Sequence, residues 1–110
     1  MTKIAEITGD GTIEDDSGVR VWLGARVRHK SGYTGTVARL RCAIEGSGCL
    51  YIHVKPDDRA HAAKVARAWP VAAKDITPEM TRRGYYVDGV AIYGVEIMQT
   101  LRHFSRIDEE

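Results

Sequence analysis

GARVRHKSGYTGTVARLR, residues 24–41, decides how the rest of the chain is read. Ala25–His29 and Gly35–Cys42 are β-prone runs, and the segment between them carries Gly32 as a turn residue. The stretch holds Arg26, Arg28, Lys30, Arg39 and Arg41 beside His29, and no carboxylate. Two further β-prone runs flank it, Val19–Leu23 and Leu50–Lys55. Glycines at 9, 11, 18, 24, 32, 35, 46 and 48 cut this half of the chain into short pieces. Short strands between frequent turns predict a small antiparallel sheet or barrel.

The alternation also predicts a register. Leu50, Ile52 and Val54 alternate with Tyr51, His53 and Lys55, while Ala38, Leu40 and Cys42 alternate with Arg39 and Arg41. Successive strand residues point to opposite faces, so the apolar sets belong together on the core side. With Glu45–Gly48 as the turn, Leu40 then lies opposite Ile52 and Cys42 opposite Leu50. Arg39, Arg41, Tyr51, His53 and Lys55 share the outer face. Cys42 points inward and Cys49 outward, so geometry disfavours a disulfide between them.

Further along, residues 56–68 set two signals against each other. Pro56 and Asp57 read as a helix entry, and the alanines that follow favour helix. Pro70 ends whatever precedes it. In the tail, Thr77 before Pro78 and Glu79 has the form of a helix start. Val87-Asp88-Gly89-Val90 is a hairpin signal. Tyr93, Ile97, Leu101 and Phe104 recur at helical spacing and predict an amphipathic C-terminal helix, so the tail reads as hairpin, helix or both. The expected organisation is an N-terminal strand extension (1–23), a barrel (24–76) and a C-terminal extension packed on it (77–110).

With 110 residues the chain is read as one domain, and 44% hydrophobic with 28% charged residues is ordinary for a folded protein. The net charge of +1 hides an uneven distribution. From Ser17 to Ile44 the chain has six Arg or Lys residues and no Asp or Glu, and Glu14, Asp15, Asp16, Asp108, Glu109 and Glu110 lie outside that zone. No apolar run approaches the ~20 residues of a membrane span. The first residues lack a basic segment followed by an apolar one, so a cytoplasmic protein without a membrane partner is expected. Cys42 and Cys49 form no C-x-x-C pair, and His29, His53, His61 and His103 are scattered, so neither metal nor cofactor is expected. The glycines of SGYTGT fit no phosphate-loop spacing. Neither cysteine sits in a nucleophile motif, and no catalytic residue is assigned.

Residues Gly24 to Ile76 resemble an SH3-like small barrel. Arg26-Val27-Arg28-His29-Lys30-Ser31-Gly32 and Gly35-Thr36-Val37 resemble the opening of the plasmid-borne type II dihydrofolate reductases. Trp69-Pro70-Val71-Ala72-Ala73-Lys74-Asp75-Ile76 is similar to the Tyr-Pro-Val-Ala-Ala segment that closes their barrel. The layout, with Gly48-Cys49 before the central strand, is also similar to small phage and prophage proteins with SH3 or KOW-like barrels. The resemblance implies a strand at Val65–Trp69, against the helical propensity of the alanines. Reductase activity does not carry over: where the family has Val-Gln-Ile-Tyr lining a tetrameric pore, this chain has Ala66, Arg67, Ala68 and Trp69, and His29 replaces the family's lysine.

Three functional readings follow. The first is a non-enzymatic binding or assembly module, phage or mobile-element encoded, forming a homo-oligomer or meeting a protein partner through Arg67, Trp69, Tyr86, Tyr93 and Phe104. The alternative is nucleic-acid binding by Arg28, Lys30, Tyr33, Arg39, Arg41, Tyr51 and Lys55, where aromatics beside cations would stack bases. The third is a diverged reductase-like pore that binds an anionic ligand at Arg67.

Overall fold

A computed structural model describes residues 3–6, 12–14, 18–44, 47–87 and 89–107. The first half contributes β1 (Lys3–Glu6), β2 (Ile13–Glu14), β3 (Arg20–Val21), β4 (Arg26–His29), β5 (Thr34–Ile44) and β6 (Leu50–Pro56). Helices α1 (Arg59–Ala66) and α2 (Pro78–Arg82) follow, then β7 (Tyr86–Val87), β8 (Val90–Tyr93), β9 (Glu96–Thr100) and β10 (Phe104–Arg106). The protein is a small, mainly β fold. Its main sheet is antiparallel in the order β10-β4-β5-β6-β9-β8-β7, with β1 also pairing β5, and β2–β3 form a separate ribbon. Among the described residues β10, β7 and β1 each pair with a single strand, and no pairing closes the sheet into a barrel.

The β5–β6 register is the one that alternation predicts, with Leu40 opposite Ile52 and Cys42 opposite Leu50. An irregularity between Val37 and Arg39 corrects one position. Val37, opposite Val54, takes the core place expected for Ala38, which is only half-buried. A bulge of this kind restores the inward phase after one extra residue. Just upstream, Gly35 passes so close to β6 that a Cβ would collide with Val54 Cγ1 and the Lys55 carbonyl, which is why glycine stands there. Glu45 and Gly46 of the expected turn lie outside the described residues, as do Gly9, Gly11, Asp15, Asp16, Asp88 and the acidic residues 108–110.

Residues 59–66 are helical, which corrects the strand implied at Val65–Trp69. The local signals agree with one another: Asp58 caps the helix by accepting from the His61 N–H at 3.1 Å, and alanines fill the turns. Ala62 and Ala66, one turn apart, are the buried pair that seals α1 onto the core. The expected start of α2 is also present, with Thr77 as cap and Pro78 first in the helix.

The expected C-terminal amphipathic helix is instead two strands and a short 3-10 turn at Leu101–His103. β9 pairs β6 on one side and β8 on the other, and β10 pairs β4. The helical spacing was coincidental: Ile97 and Met98 are adjacent and both buried because β9 has covered material on both faces. Gly94, with φ of 66°, makes the tight turn that joins Tyr93 to Glu96 and breaks any helix there.

Two apolar clusters result. The inner one gathers Val27, Val37, Leu40, Ile52, Val54 and Ile97 with α1. The outer one gathers Ala43, Tyr51, Met98 and Ala91 under Val71 and Met80, which come from the connection between α1 and β7.

Candidate functional site

The outer face of the β5–β6 hairpin is where the sequence concentrates charge and aromatic rings. In the structure the chain covers much of it. Tyr51, expected at the surface, has no exposed area because Val71 and Met80 pack over it. Its hydroxyl donates to Asp75 Oδ2, and Ser47 donates to the same carboxylate through its backbone N–H at 3.0 Å and its hydroxyl. Burial pushes the Asp75 carboxyl up, but the bonds from Ser47 and Tyr51 together hold it below the usual range. Burial is also the main cause that raises the Tyr51 hydroxyl, with Asp75 adding to it.

The cations of this face are used in the same way. Arg39 Nε meets Glu96 Oε1 at 3.3 Å. The guanidinium of Arg41 lies over the Tyr93 ring, 5.6 Å from its centroid. His53 is buried between them, its Nδ1 3.1 Å from Glu96 Oε1 and its ring 4.6 Å from that of Tyr93. Burial, then Arg41 and Arg39, hold the His53 imidazole neutral, with its pKa lowered to about 3. A neutral ring places its proton on Nδ1 and donates it to Glu96. Nearer the start of β5, the Arg26 guanidinium holds both oxygens of Asp57, and Thr34 Oγ1 donates to Oδ2 at 2.6 Å. These bonds, from Arg26 first and then Thr34, lower the Asp57 carboxyl to about 2.

Of the seven residues expected to contact nucleic acid, the structure keeps Arg28, Lys30 and Lys55 exposed. Arg39 is exposed but ion-paired, Arg41 is half-buried against Tyr93, and Tyr33 and Tyr51 are buried. Tyr33 leaves the surface because its ring stacks on His29 at 5.1 Å and its hydroxyl donates to Gln99. The face therefore lacks the two rings that were to stack bases.

The expected interface residues are dispersed as well. Phe104 is a core residue, packed edge-on against His29 at 4.9 Å, which removes it from any seam. Arg67 is exposed at the C-terminal end of α1, and Ala66 is buried within the helix, so the strand that a reductase-like pore needs is not formed. Trp69 is half-buried against His29 and His103. Tyr93 lies 4.4 Å from Tyr85, and Tyr86 is half-buried on the terminal strand β7.

Cys42 and Cys49 are free thiols, both half-buried. Cys49 packs against the outer cluster, whereas Cys42 stands opposite Leu50 and its Sγ reaches the Gly48 carbonyl at 3.8 Å. Cys49 also borders an open cleft of about 280 Å³ with Ser47, Thr100, Arg102 and Glu14. The Ser47 hydroxyl already spends its proton on Asp75. Among the described residues no three His, Cys, Asp or Glu side chains are grouped to hold a metal ion. No described helix is long and apolar enough to cross a membrane.

Sequence reasoning missed Asp75, Glu96 and Gln99. Asp75 was visible only as a letter in the segment carrying the resemblance, and nothing local shows that it faces a tyrosine twenty-four residues upstream. Glu96 was hidden by the helical reading of residues 93–104. No known protein family, curated protein or solved structure matches the chain.

Proposed function

We propose that this chain is a non-enzymatic binding module that assembles with a second copy of itself along the open margin of its sheet at β7. The observation that supports this reading is Val87, an aliphatic residue 48% exposed on the terminal strand. A terminal strand presents backbone donors and acceptors that lack a ladder partner on one side. Two such margins can pair antiparallel about a two-fold axis, so one surface patch suffices for both partners. With only Tyr86 and Val87 in β7 the ladder is short, and the association is weak and concentration-dependent. The nucleic-acid reading of the hairpin face has less support, since its tyrosines are buried and Arg39 and Arg41 hold Glu96 and Tyr93.

Light scattering over a concentration series tests the reading. The wild-type chain moves from monomer to dimer, and Val87→Lys, which alters only an exposed side chain, stays monomeric with an unchanged circular dichroism spectrum. A wild-type chain that is monomeric up to about 1 mM overturns the proposal, because specific assembly weaker than that supplies under about 4 kcal/mol.

A further inference from the structure

The open cleft of about 280 Å³ beside Cys49 is lined from three parts of the fold. Glu14 comes from β2, Cys49 and Leu50 from the entry to β6, and Thr100 and Arg102 from the end of β9 and the 3-10 turn after it. Its volume falls just below the roughly 300–1,000 Å³ of sites for drug-sized molecules, which suits a smaller occupant. The walls that carry no charge are fixed by packing. Leu50 packs on the inner cluster and Cys49 on the outer one, and the Ser47 hydroxyl is engaged with Asp75 and the Cys49 N–H.

The charged walls behave differently. Glu14 and Arg102 line the same cleft, yet among the described residues neither makes an ion pair or a side-chain hydrogen bond, with the other or with any third group. The Thr100 hydroxyl has no partner among them either. Elsewhere on this surface neighbouring opposite charges close on one another, Arg26 on Asp57, Arg39 on Glu96 and Arg83 on Glu79. A single exposed charge is satisfied by water and indicates nothing. A carboxylate and a guanidinium held apart on one small cleft, with a hydroxyl and an apolar wall beside them, are the complement of a molecule with both charges on a short carbon skeleton.

We infer that this cleft binds a small zwitterion, whose ammonium group meets the Glu14 carboxylate and whose carboxylate meets the Arg102 guanidinium. The planar fork of an arginine matches a carboxylate, and the Thr100 hydroxyl supplies a further donor. Leu50 and Cys49 give the carbon skeleton its apolar contact. A free α-amino acid and a dipeptide share this chemistry. No residue of β7 lines the cleft, so the site stands apart from the assembly proposed above.

The experiment titrates the isotope-labelled full chain with L-alanine and with L-alanyl-L-alanine, and follows backbone amide signals by NMR. Those of Gly48, Cys49 and Thr100 shift and saturate, while that of Val87 does not move. Tighter binding of alanine assigns the free amino acid, and tighter binding of the dipeptide assigns the longer zwitterion. N-acetyl-L-alanine lacks the ammonium group and L-alaninamide lacks the carboxylate, and each binds about tenfold more weakly than alanine. Glu14→Gln and Arg102→Gln change exposed side chains only. Glu14→Gln weakens alanine about tenfold and leaves N-acetyl-L-alanine unchanged, whereas Arg102→Gln weakens alanine and leaves the amide unchanged. Shifts that do not saturate below about 100 mM, that either singly charged analogue produces at equal affinity, or that survive both substitutions overturn the site.

Discussion

The two faces of the β5–β6 hairpin are built from the same alternation and are both covered, yet by different means. The inner face presents Leu40, Ile52 and Val54 to a core that needs only apolar complementarity. The outer face presents Arg39, Arg41, Tyr51 and His53, and the chain covers it with residues chosen for each partner. Glu96 meets Arg39 and His53, Tyr93 lies under Arg41, and Asp75 receives the Tyr51 hydroxyl. Alternation thus reports which residues share a face, while exposure depends on what the rest of the chain lays over that face. A run of cations in a sequence is a reservoir of bonding capacity, which the fold can spend internally.

The sharpest way to break this contrast is to cut one residue from each face. Leu40→Ala removes a fully buried side chain from the inner core, and costs about 3–4 kcal/mol in urea unfolding. Its neighbour Arg39 is half-exposed in an ion pair, so Arg39→Ala costs under about 1 kcal/mol. Equal costs would mean that the outer face is as tightly determined as the core.

The outer face is determined more closely where it is dry. Asp75→Ala removes the acceptor that serves the Tyr51 hydroxyl and both donors of Ser47. Buried donors left without a partner cost about 2–3 kcal/mol together. Adding Tyr51→Phe to Asp75→Ala removes one of those orphans and recovers part of the loss. A double variant no more stable than Asp75→Ala would show that the hydroxyl finds water, and that this face is wetter than its packing implies.

These contrasts also explain what was legible in advance. The register of β5 and β6 was readable because it depends on period-two alternation and a short connection, both local properties. The cap of α2 was readable from Thr77-Pro78 for the same reason. Over residues 56–68 the local signals favour helix, whereas the resemblance implies a strand at Val65–Trp69. Asp58 and the alanines decided the outcome. The C-terminal strands were illegible because a strand buried on both faces loses its alternation, and Ile97-Met98 then mimics one side of a helix. The candidate site was the least legible part. Whether Tyr33 and Tyr51 are exposed depends on Gln99 and Asp75, whose placement comes from topology rather than from any neighbouring residue.

Acid supplies the third test, because each face carries a buried histidine. His53 on the outer face has its pKa lowered to about 3 by burial, then by Arg41 and Arg39. His29, at the inner end, is lowered to about 4 by burial, then by His103 and Lys30. In the unfolded chain both titrate near 6.5, so between that value and the folded one the unfolded state binds more protons. Their contribution to stability is complete above about pH 6.5 and is lost as the pH falls towards the folded values. At pH 5 each histidine accounts for a loss of about 2 kcal/mol. Asp57, lowered to about 2, acts only below its ordinary value of 3.8 and leaves this window clear. Urea unfolding at pH 7 and pH 5 measures the total over His29, His53 and His103, and His53→Gln, whose amide can still donate to Glu96, removes about 2 kcal/mol of the difference. NMR titration of the His53 ring gives the direct reading. A midpoint near 6.5 would mean that solvent reaches this face and that the covering described for Tyr51, Arg41 and His53 fails together. An unchanged pH dependence in His53→Gln would place the acid response at His29 and at His103, which burial, then Arg102 and Lys30, lower in the same direction.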